Sequence, residues 1–575
     1  MIEPQNCIPM KNFHLAAVIL TISLLLQCTK DQPPVEPTES IRINQIGYYP
    51  HSVKEFILAD APAEKFKIMN DQAELVFEGT LVDRGTWSAS GETVMNGDFS
   101  ELTQPGTYRI EIEDVGVSYS FRIGEGLYQD ALRAAIKSYY FQRASMPIEE
   151  AYGGIYKRAL GHPDTTCTYH PSSGRKRGSL NSPGGWYDAG DYGKYVVNAA
   201  LSTGQMLHLL ELYPEVVPDE VLNVPESGNM RSDLWDELLY ELNWIRTMQD
   251  SDGGVYHKLT AKGFSGFIMP SDYDLERFVI GKGTAATLNY AAVMAQAGRL
   301  STLADPLWSA EAIISAEKAW KWALRNKNLP FKNPDDVSTG EYGDDKFSDD
   351  FYWAASELYL ATGEETYLDF LEKNPEPYQH QLTNSWKFFV RNNGFHSLLQ
   401  NRSKLPKDLA EQLVRDHLQL ADSLLVKLEA NPYGIALDRF EWGSNSDVLN
   451  QAMLLCVAHN LSGEEQYLRG AEQINDYIYG KNATGYCFLT GFGSKRVRFP
   501  HHRPSGADGI SGPVPGFIIG GPNDDRQDGN EVQYSSEHPA KAYEDEQASY
   551  ASNEVCINWN APAVFVLGYL EQNRK

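Results

Sequence analysis

Residues 127–143 read LYQDALRAAIKSYYFQR, and at this stretch the hydrophobic pattern of the chain changes. Apolar residues recur here at every third or fourth position, a spacing that predicts an amphipathic helix. The same spacing returns repeatedly further along the chain. It predicts eleven helices in total, over 127–143, 190–212, 231–249, 283–297, 308–325, 346–361, 378–391, 407–430, 446–460, 463–479 and 558–571.

Many helices separated by long loops favour an α/α barrel, in which paired helices form two concentric rings. One helix beyond the eleven would complete six pairs, which is an (α/α)6 barrel. A helical solenoid is the alternative, but the sequence shows no fixed repeat period. We therefore expect a mainly α fold, with the barrel domain over residues 125–575.

The residues before the helices follow a different pattern. Polar and apolar residues alternate over 41–48 (IRINQIGY) and 106–112 (GTYRIEI), with compact apolar runs and turn residues between them. Short strands at intervals of about ten residues are typical of a small β-sandwich. We expect this immunoglobulin-like domain over residues 40–124.

Residues 1–28 have the features of an export signal. After Lys11, an apolar run over 15–26 is too short for a mature membrane span. The run ends at Leu25-Leu26-Gln27-Cys28, which resembles a bacterial lipobox whose Cys becomes lipidated. With residues 29–39 as a tether, we expect a lipid anchor in the outer membrane, at the cell surface. A plain secretory signal, giving a periplasmic or secreted protein, is the alternative.

The composition argues against one class of partner and favours another. Lys and Arg total 50 and Asp and Glu total 77, so the net charge is −27 and nucleic acid is not an expected partner. Aromatic residues make up 11% of the chain, and rings beside surplus carboxylates suit neutral ligands such as sugars. The six cysteines are widely spaced and do not indicate a disulfide framework.

Residues 184–195 read GGWYDAGDYGKY and carry Asp188 and Asp191, three positions apart around a glycine. Two carboxylates at this spacing point into the same small volume, where they can hold and deprotonate one water molecule. Two other interpretations stay open. Asp191 caps the following helix in one, and the loop binds calcium in the other.

Two later segments also concentrate polar side chains. Residues 489–503 end in His501-His502-Arg503 and form a basic cluster in an acidic chain, which suits hydrogen bonds to sugar hydroxyls or a carboxylate. No third metal ligand stands near the histidines at a familiar spacing. Residues 543–561 carry Glu554 just before the last helix. A helix N-terminus favours a carboxylate there, but a general acid with a raised pKa is the other interpretation.

Together these three segments resemble the signatures of glycoside hydrolase family 9. The histidine signature, which ends in His-x-Arg, is met by His501 and Arg503, and the DAGD motif is met by Asp188 and Asp191. The acidic signature is met by Tyr543, Asp545, Tyr550, Glu554, Asn560 and Ala561. Many members also carry an immunoglobulin-like domain that opens like residues 41–47, so the resemblance covers nearly everything from about residue 40.

The resemblance implies an enzyme that inverts the anomeric centre, with Glu554 as general acid and Asp191 as the base that activates water. Asp188 is implied to position that water. Three more residues are implied to line the cleft, contacting sugar or orienting the acid: His501, Arg503 and Asp545. Cys487 and Cys556 stand where the family has small hydroxyl or Ala residues, and we expect tuned packing there.

Metal ions are also part of the resemblance, although none is required for the chemistry. Members with this N-terminal domain often carry a structural zinc, but Ala144 and Tyr187 stand at two of its ligand positions. Cys167 and His170 alone do not make a closed site, so zinc is not expected. A second stretch resembles a calcium site, with a solvated loop that caps the next helix as the alternative: Glu341, Asp344, Asp349 and Asp350.

Aromatic faces stack on glucosyl rings, so Trp442 and Tyr550 are candidate platforms, with a buried structural Trp442 as the alternative. His257 lies in a segment that resembles another part of the family's cleft, and Arg503 is expected to bind substrate. The expected protein is a monomeric, inverting endo-β-1,4-glucanase acting on mixed-linkage glucan, xyloglucan or amorphous cellulose at the cell surface. An exo-acting β-glucosidase or glucosaminidase and a non-catalytic glycan-binding lipoprotein are the alternatives.

Overall fold

The computed structural model describes residues 36–376, 385 and 389–574. The predicted signal, Cys28 and most of the tether lie outside these residues, as does most of the helix predicted over 378–391. No helix within the described ranges is both long and apolar enough to cross a membrane.

Eight strands form the N-terminal β-sandwich: Ile41–Arg42 (β1), Glu55–Ala59 (β2), Lys65–Asn70 (β3), Leu75–Trp87 (β4), Glu92–Asp98 (β5), Gly106–Ile112 (β6), Gly116–Val117 (β7) and Phe121–Ile123 (β8). The strand order is β1-β2-β5-β4-β3-β6-β7, with β8 also paired to β6, and every pair is antiparallel. The long strand β4 pairs with β3 through its first half and with β5 through its second, so it joins the two layers. The aromatic and aliphatic side chains between the layers form a separate core.

Twelve helices of nine or more residues follow within the described chain: Gln129–Gln142 (α1), Val196–Leu212 (α2), Asp233–Thr247 (α3), Thr284–Ser301 (α4), Pro306–Arg325 (α5), Ser348–Thr362 (α6), Glu365–Lys373 (α7), Arg391–Gln400 (α8), Lys407–Ala430 (α9), Ser444–Ser462 (α10), Glu465–Ile478 (α11) and Ile557–Asn573 (α12). Short helical turns lie at Glu150–Gly153, Arg503–Ala507 and Tyr550–Asn553. The twelve long helices make the six pairs of the predicted barrel.

The two rings differ in how much of each helix is buried. The even-numbered helices α2 to α12 are buried nearly all round, whereas the odd-numbered helices α1 to α11 bury one face only. Helices buried on all sides form the inner ring, and the amphipathic helices form the outer ring. Each outer helix packs against inner ones and returns the chain, so the inner helices run in the same direction. Their N-terminal ends therefore share one end of the barrel.

Two helices, α7 and α8, are absent from the sequence prediction. Helix α8 contains Gly394 and two asparagines, which are weak helix formers and hide it from a pattern search. The glycine has a packing role, since a Cβ there would come within 3.0 Å of the Trp353 Cα in helix α6. Tertiary contact therefore decides the structure at this position.

The long predicted loops contain a second sheet: Cys167–Tyr169 (β9), Ser179–Leu180 (β10), Lys194–Tyr195 (β11), Tyr256–Thr260 (β12) and Phe278–Lys282 (β13). Its order is β10-β9-β13-β12-β11, and only the β13–β9 pair is parallel among these strands. Strand β11 occupies residues that were predicted as the start of the helix over 190–212. The helix begins at residue 196 instead, which leaves the DAGD loop free of it.

The sandwich is fastened to the barrel through its opening segment. Asn44 donates hydrogen bonds to the Tyr128 hydroxyl (2.7 Å) and to Asp476 (2.8 Å), and Tyr49 donates to Glu571 (2.6 Å). All of these residues are buried, so hydrogen-bonded polar groups form part of the interface between the two domains. Asn44 of the IRINQIGY pattern and Tyr49, which follows it, thus hold the domains together.

Candidate active site

Four of the inner helices are preceded by loops that carry the predicted functional residues. Asp188 and Asp191 precede α2, Trp442 precedes α10, and Glu554 precedes α12. The loop before α6 adds Tyr342. Because the inner helices begin at the same end of the barrel, these side chains gather around one opening.

Backbone contacts join the loops before α2 and α12 to each other and to the histidine segment. Ala189 pairs with Cys556, and His501 pairs with Glu554, as isolated β-bridges. The carbonyl of Gly190 accepts hydrogen bonds from the backbone N–H and the guanidinium of Arg503, at 3.1 and 2.8 Å. A Cβ at Gly190 would meet the His501 carbonyl oxygen at 2.1 Å, so only glycine permits this close approach. The catalytic side chains are therefore held by a rigid frame.

Asp188 is buried and held on both carboxylate oxygens. Asn198 donates to one oxygen at 2.9 Å, and the Tyr342 hydroxyl donates to the other at 2.6 Å. Burial, together with the nearby charge of Asp191, raises the pKa of Asp188 to about 7. A carboxyl fixed in this way has little freedom to move, which suits a positioning role.

Asp191 is not the cap of helix α2. The cap position is Tyr195, which lies in strand β11 four residues after Asp191, and no side chain caps this helix end. The Asp191 carboxylate instead accepts hydrogen bonds from the Gly193 N–H and the Tyr195 hydroxyl, both at 3.2 Å and both on one oxygen. The capping interpretation is therefore wrong, and Asp191 lines a cavity that it shares with Glu554.

Glu554 is partly buried, two residues before the cap of helix α12, which likewise has no side-chain cap. Burial raises its pKa well above the ordinary value, and the charges of Asp191 and Asp188 raise it further, while Arg503 opposes them. A carboxyl with a raised pKa keeps its proton to a higher pH than a free carboxyl does. Glu554 can therefore donate a proton.

His501 and Arg503 lie beside the carboxylates. His501 Nδ1 donates to the Gln547 carbonyl at 2.8 Å, and burial lowers the pKa of His501 to about 4. The ring is thus neutral, with Nε2 left as an acceptor. Arg503 donates to the carbonyls of Ser265 and Gly190 and stacks over Phe264.

The site opens into a cavity of about 480 Å³, the catalytic cavity, whose lining includes the predicted residues Asp188, Asp191, Trp442, His501, Arg503, Tyr550 and Glu554. Trp442 is 43% exposed, and its ring lies 5.6 Å from that of Tyr550, so the buried interpretation of Trp442 is wrong. A second cavity of about 270 Å³, the adjoining cavity, shares Trp442 and Glu554 with it and adds Trp559. The cleft therefore continues past Glu554.

Two predicted residues are placed elsewhere. Asp545 accepts the N–H groups of Arg498 and Phe499 and so holds the backbone of the histidine segment, outside the catalytic cavity. His257 is 1% exposed, stacks on Phe331 at 3.7 Å and hydrogen-bonds the Glu341 carbonyl at 2.9 Å. His257 therefore supports the loop before α6 from beneath and does not reach the cleft surface.

Comparison with known proteins places the chain in a family. Residues 128–567 match Glycosyl hydrolase family 9, and residues 36–117 match the Cellulase N-terminal ig-like domain. The chain belongs to glycosyl hydrolase family 9. It is a glycoside hydrolase of the endo-β-1,4-glucanase type, with the barrel and immunoglobulin-like domain that the sequence predicts.

Individual relatives cover nearly the whole chain. The xyloglucan-specific endo-beta-1,4-glucanase of Bacteroides ovatus is 39% identical over 584 residues, which is 97% of this chain and 98% of the relative. Endoglucanase D of Acetivibrio thermocellus is 32% identical over 542 residues, covering 93% of this chain and 84% of the relative. A solved family 9 structure from Bacteroides ovatus has a TM-score of 0.87 at 38% identity and covers 94% of this chain and 100% of that chain.

Several residues of this family 9 site were missed at the sequence level. Tyr342 and Tyr195, which donate to the two aspartates, and Asn198, which fixes Asp188, carry no signal of their own. Tyr342 lies within the stretch that was assigned to calcium. Tyr195 ends the DAGDYGKY motif, and that position was the one available clue.

The stretch assigned to calcium divides into two parts. The oxygens of Asp344, Asp349 and Asp350, the acidic cluster, lie within 4.8 Å of one another and are buried. Glu341 is not part of it, because its side chain accepts the Asn333 N–H at 2.9 Å. One oxygen of Asp350 accepts from Asn289 at 2.5 Å, and the other is buried without a hydrogen-bond partner among the described residues.

Proposed function

We propose that this family 9 enzyme hydrolyses internal β-1,4 bonds of xyloglucan or a closely related β-glucan, with inversion at the anomeric carbon. The observation that carries the proposal is the meeting of Asp188, Asp191 and Glu554 in one aromatic-lined cavity. The specificity of the Bacteroides ovatus relative supports xyloglucan as the first substrate to test.

Glu554 is the general acid in this proposal. Its raised pKa favours the protonated form, and the carboxyl delivers its proton to the glycosidic oxygen as the bond to the anomeric carbon breaks. The leaving chain departs as a neutral alcohol. Glu554 is left as a carboxylate and regains a proton from solvent before the next turnover.

Asp191 is the base. It takes a proton from a water molecule while the water oxygen bonds to the anomeric carbon on the face opposite the leaving group. Tyr195 and the Gly193 N–H hold one Asp191 oxygen, which leaves the other for the water. Asp188, fixed by Tyr342 and Asn198, accepts a hydrogen bond from the second hydrogen of the water and so orients it. That hydrogen stays on the new hydroxyl group, and Asp191 releases its proton to solvent after the reaction.

Internal cleavage follows from the shape of the cleft. The catalytic cavity and the adjoining cavity share Glu554, and Trp442 and Trp559 provide aromatic faces along them. Sugar rings stack on such faces through their apolar sides. A polymer can thus lie across the acid with rings bound on both sides of the scissile bond.

Digestion of a panel of xyloglucan, mixed-linkage glucan and amorphous cellulose, with size analysis of the products, tests this proposal. We expect a rapid fall in polymer length and oligosaccharide products of mixed size. Monomer released from the start would identify an exo-acting glucosidase or glucosaminidase instead. Binding to glucan without new reducing ends, with calcium present, would identify a non-catalytic binding lipoprotein.

We also propose that the acidic cluster binds a structural calcium ion. Asp344, Asp349 and Asp350 supply hard oxygen ligands, and one buried Asp350 oxygen has no hydrogen-bond partner among the described residues. The ion would neutralise charge at the start of helix α6 and would take no part in the chemistry. Calorimetric titration of chelator-treated enzyme with calcium tests for one bound ion.

The location of the enzyme is a further proposal, which rests on the sequence of residues 1–39 alone. Export with a lipid on Cys28 would attach a monomeric enzyme to the outer membrane and expose the cleft to soluble polymer. Labelling cells with a radioactive fatty acid tests this. The label should appear on the wild-type chain and be absent from a Cys28→Ala variant.

A further inference from the structure

Residues 495–498 read Lys-Arg-Val-Arg and take no part in the chemistry described above. They place three cations within four positions of a chain whose net charge is −27. Lys495 pairs with Glu39 at 2.7 Å. Arg496 and Arg498 are exposed, and no carboxylate of the described residues lies within 4.0 Å of either guanidinium.

The backbone that carries the two arginines is held in place. Val497 is fully buried, so the arginines on either side of it point to the same, exposed side of an extended segment. The side-chain oxygen of Gln45 accepts the N–H groups of residues 494 and 495, each at 2.8 Å. Asp545 accepts the Arg498 N–H at 2.9 Å. A ligand would therefore meet arginines on a preorganised backbone.

These cations line a cavity of about 740 Å³ between the sandwich and the barrel, which we call the basic groove. Three partly exposed tyrosines come from separate parts of the chain to line it: Tyr119, Tyr156 and Tyr486. Glu39 and Asp545 also line it and supply acceptors. The groove thus combines aromatic faces with both donors and acceptors, the combination that recognises sugar hydroxyls and ring faces.

The chain segment that lines the basic groove leads on to the catalytic cavity. Arg498 also lines a cavity of about 190 Å³ together with Phe499 and Pro500, and His501 follows directly and lines the catalytic cavity. The Phe499 side chain is 56% exposed along this path. Five extended residues span at most about 18 Å, so the groove begins within a short oligosaccharide length of the catalytic residues.

We propose that the basic groove is a second, non-catalytic binding site for a neutral β-glucan chain, and that it retains polymer beside the cleft. The overall negative charge disfavours a polyanion, while the tyrosines and arginines suit a neutral polyol. The identity of the polymer rests on the proposed function; the existence of the site rests on the groove alone.

The test compares the double variant R496A/R498A with wild-type enzyme on xyloglucan and on a cello-oligosaccharide short enough to fill only the cleft. We expect KM on the polymer to rise roughly fivefold with kcat unchanged, and activity on the oligosaccharide to stay within about twofold of wild type. The control is K176A/R177A, which removes an equal charge from an exposed basic pair outside the described cavities.

Binding is measured separately by affinity electrophoresis in gels that contain xyloglucan, with Glu554→Gln as the background so that the polymer stays intact. Adding R496A/R498A to that background should reduce the retardation, and K176A/R177A should not. This readout is independent of catalysis. If the wild-type enzyme cleaved no glucan, the proposed function would fail while the groove could still be detected.

Three outcomes would overturn the proposal. Unchanged polymer KM and unchanged retardation in R496A/R498A would remove the groove as a site. Equal losses on polymer and oligosaccharide would mean that the arginines act through the cleft. Groove-dependent retardation by polygalacturonate and not by neutral glucans would replace the neutral ligand with an anionic one.

Discussion

Two groups of three carboxyl groups lie next to or within the loop before helix α6, and they differ in their access to solvent. The catalytic group consists of Asp188, Asp191 and Glu554, and the acidic cluster consists of Asp344, Asp349 and Asp350. In each group, burial and neighbouring carboxylates raise the pKa of two members. The catalytic group opens into a cavity with aromatic walls, whereas the oxygens of the acidic cluster crowd within 4.8 Å of one another in the interior.

The comparison indicates that both groups have the same kind of side chain and differ in whether substrate can reach it. Access by substrate therefore distinguishes a candidate catalytic site from a candidate structural one. A raised pKa beside an open cavity gives a proton donor that substrate can reach. In a buried cluster, the same raised pKa reflects electrostatic repulsion between the carboxylates, which a bound cation would reduce. Four predictions test this distinction, in order of expected effect.

Glu554→Gln should cause the largest loss. Removing the proton donor should lower kcat/KM on xyloglucan by about 10³–10⁴. Aryl glycosides with good leaving groups need little protonation, so their hydrolysis should fall much less. Steady-state kinetics on both substrates checks this, and wild-type activity on polymer would disprove the assignment of the acid.

Asp191→Asn should lower activity by about 10³ on polymer and aryl glycosides alike, because both need an activated water. Azide, a small nucleophile, should restore part of the turnover on the aryl substrate with inverted configuration. NMR of the glycosyl azide product gives its configuration. A retained configuration would show that Asp191 is not the base of an inverting reaction.

Asp188→Asn should cost less, about 10- to 100-fold, since the residue positions water and does not take its proton. Tyr342→Phe removes a hydrogen bond that favours the charged form of Asp188, so the Asp188 pKa should rise above about 7. Activity that depends on this carboxylate should then appear only at higher pH. A pH–rate profile measures the shift, and an unchanged acidic limb would separate Asp188 from the reaction.

Changes to the acidic cluster should have the smallest effect on activity. Asp350→Asn should leave kcat within about twofold of wild type. If the proposed calcium ion binds, it should raise the Tm of the wild-type enzyme by mass action, and the variant should lose that rise. Without calcium, the variant should be at least as stable as wild type because repulsion is lower. Glu341→Gln, outside the cluster, should keep the calcium response, and thermal unfolding with and without chelator distinguishes them.

Much of the fold and part of the site could be predicted from the sequence. The helical period located ten of the twelve long helices, but α8 depends on the contact of Gly394 with helix α6, which no local pattern reports. The motifs located Asp188, Asp191 and Glu554, because their spacing is local. Tyr342 was not predicted as an active-site residue, since it reaches Asp188 only through the packing of a loop 154 positions away.

The interface between the sandwich and the barrel has a consequence for folding during synthesis. Asn44 and Tyr49 leave the ribosome early, yet their hydrogen-bond partners Asp476 and Glu571 are synthesised more than four hundred residues later. Until then these polar groups lack their native partners and stay exposed to water. The sandwich therefore completes its interface with the barrel only after the last helix has been synthesised, and a prematurely terminated chain leaves that interface exposed.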